Sequence, residues 1–206
     1  MIKNVIFDFG NVLVKYDPVY IVSGFSDNQE DIQAVASVLF DRLYWDRLDE
    51  GTIEDSEVVE ESKKRLPKRL HALIEKSYYG WIDRLPEISG MSALIESLKS
   101  RGVKLYLLSN ISQYFADRYQ RFPILRQFDG LVFSGVIHKV KPSKEIFEYL
   151  FDAYKIKSEE SVFIDDAQRN IDGAKAVGLA TYLFDGDSKK LEEYLTKLIK
   201  ENENEN

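Results

Sequence analysis

Five short apolar runs constrain this chain more than any other feature of its sequence: residues 4–7, 104–108, 130–133, 161–164 and 180–184. Each is rich in Val, Ile, Leu, Tyr and Phe. They are apolar on both faces rather than alternating, as strands buried in a parallel sheet are. Helical patterns separate the last four. Residues 113–127 carry aromatics and Leu125, residues 144–154 repeat Ile146, Phe147, Leu150 and Phe151 at helical spacing, and residues 170–177 end at Gly178, a helix stop. Strands alternating with helices predict an α/β fold built on a doubly wound parallel sheet.

The gap between the first two runs breaks this rhythm. Residues 91–100, with Leu94, Ile95 and Leu98, read as the helix that leads into the second strand. The preceding stretch of about 70 residues is far longer than an ordinary connection and holds helical patterns without a convincing strand. Residues 17–85 are therefore expected to form an inserted helical cap, with Pro18 and Pro86 near its hinges. Residues 1–16 and 86–200 would form the Rossmann-like core, and the polar tail 201–206 is expected to be disordered.

Bulk properties remove several function classes. Acidic residues outnumber basic ones, 35 to 28, for a formal net charge of −7. That balance argues against a nucleic-acid partner. Five basic residues cluster between Lys63 and Arg69, and a solvated helix face is the expected reading. No apolar run approaches the length of a membrane span, and the apolar stretch near Met1 is interrupted at Asp8, so a cytoplasmic protein is expected. With no cysteine and only His71 and His138 as imidazoles, thiolate catalysis and Cys- or His-rich metal sites are unsupplied.

In an open parallel sheet, ligands bind beyond the carboxyl ends of the strands. The first run ends on Asp8 and the second on Ser109 and Asn110. Lys141 follows the third, and Asp165 and Asp166 end the fourth. Three carboxylates brought together on one rim raise one another's pKa, a cost that a divalent cation removes. Oxygen ligands without His or Cys point to Mg²⁺. This inventory suits phosphoryl transfer. Asp8 would attack phosphorus in line, Lys141 and the metal would neutralise phosphoryl charge, and the Ser109 hydroxyl would donate to a phosphoryl oxygen.

The segments VIFDFGNVLV, LLSN, VKPSKEIF and FIDDAQRNIDGAKAVG, in this order, resemble the four motifs of the haloacid dehalogenase (HAD) superfamily. Residues 45–53 and 127–134 also look like its sugar-phosphate phosphatase and epoxide-hydrolase phosphatase branch. The resemblance implies a phosphoric monoester hydrolase acting on a small phosphorylated metabolite. Asp8 would be nucleophile and metal ligand, the Gly10 carbonyl a second ligand and Asp166 a third, with Asp165 beside it. Ser109, Asn110, Lys141 and Asn11 would hold the phosphoryl group, and Asn170 would support the acidic loop. In the cap, Tyr44, Trp45, Arg47 and Asp49 are the residues within possible reach of substrate.

One position departs from the pattern. The family's phosphatases usually carry an aspartate two residues after the nucleophile as general acid and base; here that position is Gly10. Without it, rates are expected to depend steeply on the leaving group. Other readings are a 2-haloacid dehalogenase, against which the Asp165–Asp166 pair argues, and a catalytically weak phosphometabolite binder. A phospho-receiver switch also uses an aspartyl-phosphate, but there the acidic pair comes first and the nucleophile later.

Overall fold

The computed structural model describes residues 2–203 of the chain. Five strands form one sheet: β1 (Asn4–Phe7), β2 (Lys104–Ser109), β3 (Gly130–Phe133), β4 (Ser161–Asp165) and β5 (Ala180–Leu183). All pair in parallel, in the order β3-β2-β1-β4-β5. Chain order runs outward in one direction from β1 to β3 and in the other from β4 to β5. The reversal lies between β1 and β4, where such sheets open a binding crevice.

The first two runs are joined by an insertion of five helices: α1 (Pro18–Ser23), α2 (Gln29–Leu39), α3 (Arg42–Asp49), α4 (Asp55–Arg65) and α5 (His71–Gly80). Local chemistry sets their starts. Asp17 caps α1 by accepting from Val19 and Tyr20 N–H, Pro18 occupies the first turn, Asn28 caps α2, and Asp41 caps α3. The two linkers lie side by side, with Lys15 N–H donating to the Pro86 carbonyl at 2.8 Å and Ile88 N–H to the Leu13 carbonyl at 2.9 Å. The insertion therefore leaves and re-enters the core at one place.

Cap and core share one apolar cluster. It runs from Leu39, Ile74 and Trp81 through Phe9 and Phe115 to Leu105 and Leu107. The Trp81 and Phe115 rings stack at 6.0 Å, and Tyr114 Oη donates to the Tyr79 carbonyl at 2.7 Å. The opposite face of the sheet is covered separately. There Ile6, Leu108 and Phe163 pack against Phe147, Leu150 and Ile171.

The remaining helices are α6 (Met91–Ser100), α7 (Gln113–Ala116), α8 (Ser134–Ile137), α9 (Lys144–Tyr154), α10 (Gln168–Ala176) and α11 (Ser188–Glu203). The helical pattern over 113–127 is not one helix. It breaks after α7 into short 3₁₀ turns at Tyr119–Arg121 and Pro123–Gln127. Pro123 cannot continue a helix begun before it, and the segment instead turns Phe115, Ile124 and Leu125 into the core. Of the tail expected to be disordered, 201–203 continue α11, and 204–206 lie outside the described residues. The basic run is a paired helix face: Lys63 meets Glu60 and Glu75, Lys64 meets Glu61, and Arg69 meets Asp31.

Candidate active site

The carboxyl ends of β1, β2 and β4 bring the expected polar residues to one cavity of about 230 Å³. Asp8, Gly10, Asn11, Ser109, Asn110, Lys141, Asp166 and Asn170 all line it. Asp8 follows directly from β1, and its N–H is held by the Ile164 carbonyl of β4 at 2.9 Å. Ser109 ends β2, is 2% exposed and lines the cavity.

Lys141 is the hub. It is 2% exposed, and its ammonium lies 2.8 Å from Asp8 Oδ1 and 2.7 Å from Asp165 Oδ2. Burial pulls its pKa down, but Asp165 and Asp8 more than reverse this and hold the ammonium above its usual range. Asn110 fixes the backbone of Lys141 from both sides, accepting from its N–H at 2.8 Å and donating to its carbonyl at 3.0 Å. Asp165 is fully buried and accepts from Asn170 Nδ2 at 3.0 Å and from Ala167 N–H at 2.8 Å as well as from Lys141. Asn170 thus bonds the carboxylate that orients the lysine.

The acid cluster fits a divalent cation. Asp8, Asp165 and Asp166 each offer an oxygen within 4.8 Å of the others. Burial, with help from Asp165, pushes Asp8 up to about 6 against the pull of Lys141. Burial and then Asp165 raise Asp166 as well, with the Asn11 side chain opposing them. One lysine among three carboxylates leaves negative charge that a hard cation would neutralise.

The backbone after Asp8 suits a close approach. Asn11 takes a left-handed φ of 55°, its N–H meets the Val14 carbonyl at 2.7 Å, and its side chain accepts from Tyr16 N–H at 3.0 Å. A Cβ on Gly10 would meet only Tyr16 Cβ, at 3.9 Å.

The cap completes the cavity with Arg42, Trp45, Asp49 and Trp81, and the core adds Tyr16 and Arg169. Of the four cap residues considered from sequence, Trp45 and Asp49 are in the wall. Tyr44 instead points its hydroxyl at Glu61, 3.5 Å away, and Arg47 is exposed. Sequence reasoning did not find Arg42, Trp81, Tyr16 or Arg169. The only signal for Arg169 was its place inside the fourth motif, and nothing in the pattern marked the other three. His138 meets the end of the cap helix, its Nδ1 3.1 Å from the Glu50 carbonyl.

A parallel sheet with acids at its topological switch point and a helical cap over them defines a class of hydrolases. The chain belongs to the haloacid dehalogenase-like hydrolases, whose family pattern matches residues 2–178. It is 26% identical over 180 residues to a sesquiterpene phosphatase of Aspergillus oryzae, covering 86% of this chain and 87% of that one. It is 25% identical over 178 residues to a phosphorylated carbohydrates phosphatase of Thermotoga maritima, covering 85% and 81%. Among solved structures, a HAD-like family hydrolase of Porphyromonas gingivalis superposes with a TM-score of 0.74 at 25% identity, covering 97% of this chain and 98% of that one. The relation to the sugar-phosphatase and epoxide-hydrolase branch is thus one of low to moderate identity. No described helix is long and apolar enough to cross a membrane.

Proposed function

We propose that the protein is a Mg²⁺-dependent phosphatase that hydrolyses a small phosphorylated metabolite, a sugar phosphate, through an aspartyl-phosphate on Asp8. The observation that carries this reading is the Lys141 ammonium held between Asp8 and Asp165, with Asp166 at the mouth of the same cavity. Asp8 Oδ attacks phosphorus. Lys141 keeps Asp8 ionised and neutralises a phosphoryl oxygen as charge develops. Ser109 and Asn110, at the end of β2, and Asn11 bind the remaining phosphoryl oxygens. Asp8, the Gly10 carbonyl and Asp166 would hold Mg²⁺, with Asp165 beside them. The cation supplies Lewis-acid neutralisation of the phosphoryl group and of the nucleophile.

A sugar phosphate is supported by the size of the cavity and by its upper wall. Trp45, Trp81 and Tyr16 offer ring faces, and Arg42, Asp49 and Arg169 offer hydrogen-bonding groups. The phosphatase activities in the names of the relatives point the same way.

The test is turnover of an aryl phosphate and of a panel of sugar phosphates, with Mg²⁺ and with excess chelator, for wild type and Asp8→Asn. Activity is expected only for wild type with Mg²⁺, with Asp8→Asn remaining folded by circular dichroism. Undiminished rates in chelator would overturn the metal-dependent route.

A further inference from the structure

The phosphatase reading leaves one task unassigned, since Gly10 stands where the proton donor would be. Alkyl leaving groups need a proton as they depart, and the water that later attacks the aspartyl-phosphate must lose one. The group responsible must face Asp8, carry a proton at neutral pH and be held firmly. On the core side of the cavity, every carboxylate belongs to the cluster around Lys141.

We propose that Asp49, the last residue of α3 in the cap, is the general acid and base of this enzyme. It lines the same cavity as Asp8, together with Trp45 and Arg42 of the same helix. The core fixes its backbone. Ser134 Oγ, at the start of α8, donates to the Asp49 carbonyl at 2.6 Å and accepts from Ile111 N–H at 2.9 Å. Ile111 directly follows Ser109 and Asn110, so a single hydroxyl ties Asp49 to the phosphate-binding loop.

Two further contacts lock the next residues. His138 Nδ1 meets the Glu50 carbonyl at 3.1 Å. Gly51 has a φ of +68° and packs so closely that a Cβ there would lie 2.5 Å from His138 Nδ1 and 2.6 Å from the Gly135 carbonyl oxygen.

The surroundings keep Asp49 protonated. Burial raises its pKa most, then Asp46 on its own helix and, more weakly, Asp8 in the same cavity; Arg42 and Lys141 oppose them, and the balance is pushed up to about 8. Tyr16 faces Asp49 from the core side, and its buried hydroxyl has no hydrogen-bond partner among the described residues. Arg169 and Asp166 complete the charged groups of this wall.

The chemistry balances without another reactant. As Asp8 Oδ bonds to phosphorus, the bond from phosphorus to the leaving oxygen breaks, and that oxygen takes the Asp49 proton to leave as an alcohol. The Asp49 carboxylate then accepts a proton from the attacking water. The new P–O bond displaces Asp8, inorganic phosphate leaves, and Asp49 is protonated again. Wild type is therefore expected to turn over alkyl phosphates, in place of the steep leaving-group dependence that Gly10 alone implies.

This inference rests on the phosphatase reading, and the experiment separates the two. Asp49→Asn and wild type are compared with Mg²⁺ on p-nitrophenyl phosphate and on a primary alkyl phosphate, by rapid mixing and at steady state. The first step needs no acid for nitrophenolate but the second still needs a base. Asp49→Asn is thus expected to give a burst of about one nitrophenolate per enzyme followed by slow turnover, and alkyl-phosphate turnover about 10²-fold below wild type. Asp49→Glu is expected to restore part of both. Unchanged kinetics in Asp49→Asn would overturn the proposal, as would equal losses on both substrates without a burst, the result of a merely structural role. A wild type inactive on both esters would overturn the phosphatase reading and this proposal with it.

Discussion

Position 10 has room for the carboxylate it lacks. Its backbone is outside the left-handed region, and a Cβ there meets one atom at ordinary van der Waals distance. Gly10→Asp is therefore expected to fold, and in the Asp49→Asn background to return alkyl-phosphate turnover by about 10-fold or more; steady-state kinetics on the double variant measures it. Asp49 itself should cost stability. Its folded pKa of about 8 lies far above an ordinary carboxylate, so between about pH 4 and that value the unfolded chain ionises while the folded one holds its proton. The group's contribution is complete below the lower value and is lost as pH rises through the upper one. Asp49→Asn is expected to melt above wild type at pH 8, with the difference closing toward pH 4, in thermal scans across that range. Asp8, Lys141 and Asp166 were legible in the sequence because strand ends and motif order place them. The chemical promise of Asp49 was not, because it depends on which cap residue faces the core.

At the scale of elements, the carboxyl end of α3 works as a latch. Ser134, His138 and Gly135 hold it from the core, and Asp49 sits at the point held. Gly51→Ala is expected to cost about 1–2 kcal/mol for its left-handed backbone alone, read by urea denaturation. It should also lower alkyl-phosphate turnover more than aryl, because it shifts the acid and leaves Asp8 untouched. Four of the strands were legible because they are buried on both faces, a pattern that needs no knowledge of their neighbours; β5, at the sheet edge, is only partly buried and was legible from its apolar run alone. The segment after β2 was not: aromatics and a proline compete there, and the burial of Phe115 against Trp81 and of Ile124 in the shared apolar cluster decided the outcome. The orientation of the cap was hidden for a similar reason. Its aromatic contacts, such as Trp45 with Phe40 and Trp81, join residues whose spacing carries no shared period.

For the whole molecule, sheet order concentrates charge. The ends of β1 and β4 meet at the switch point, so folding itself brings Asp8, Asp165 and Asp166 together. An unfolded chain has no such site. Mg²⁺ is therefore expected to stabilise the folded state by mass action, by about 2.7 kcal/mol at a hundredfold excess over its dissociation constant. Melting temperature against Mg²⁺ concentration checks this, and Asp166→Asn should flatten the curve.

The central place of β1 also bears on how the protein is made. Asn4 pairs with Lys104 on one side and Ser161 on the other. When the ribosome has finished β1, neither neighbour exists, and the second appears only after another stretch of about 150 residues has been synthesised. At roughly 5–20 residues per second, this apolar strand waits on the order of 10–30 s for its second partner. The strand that leads into Asp8 is thus made long before its second neighbour exists, and during that interval it is a natural client for a chaperone.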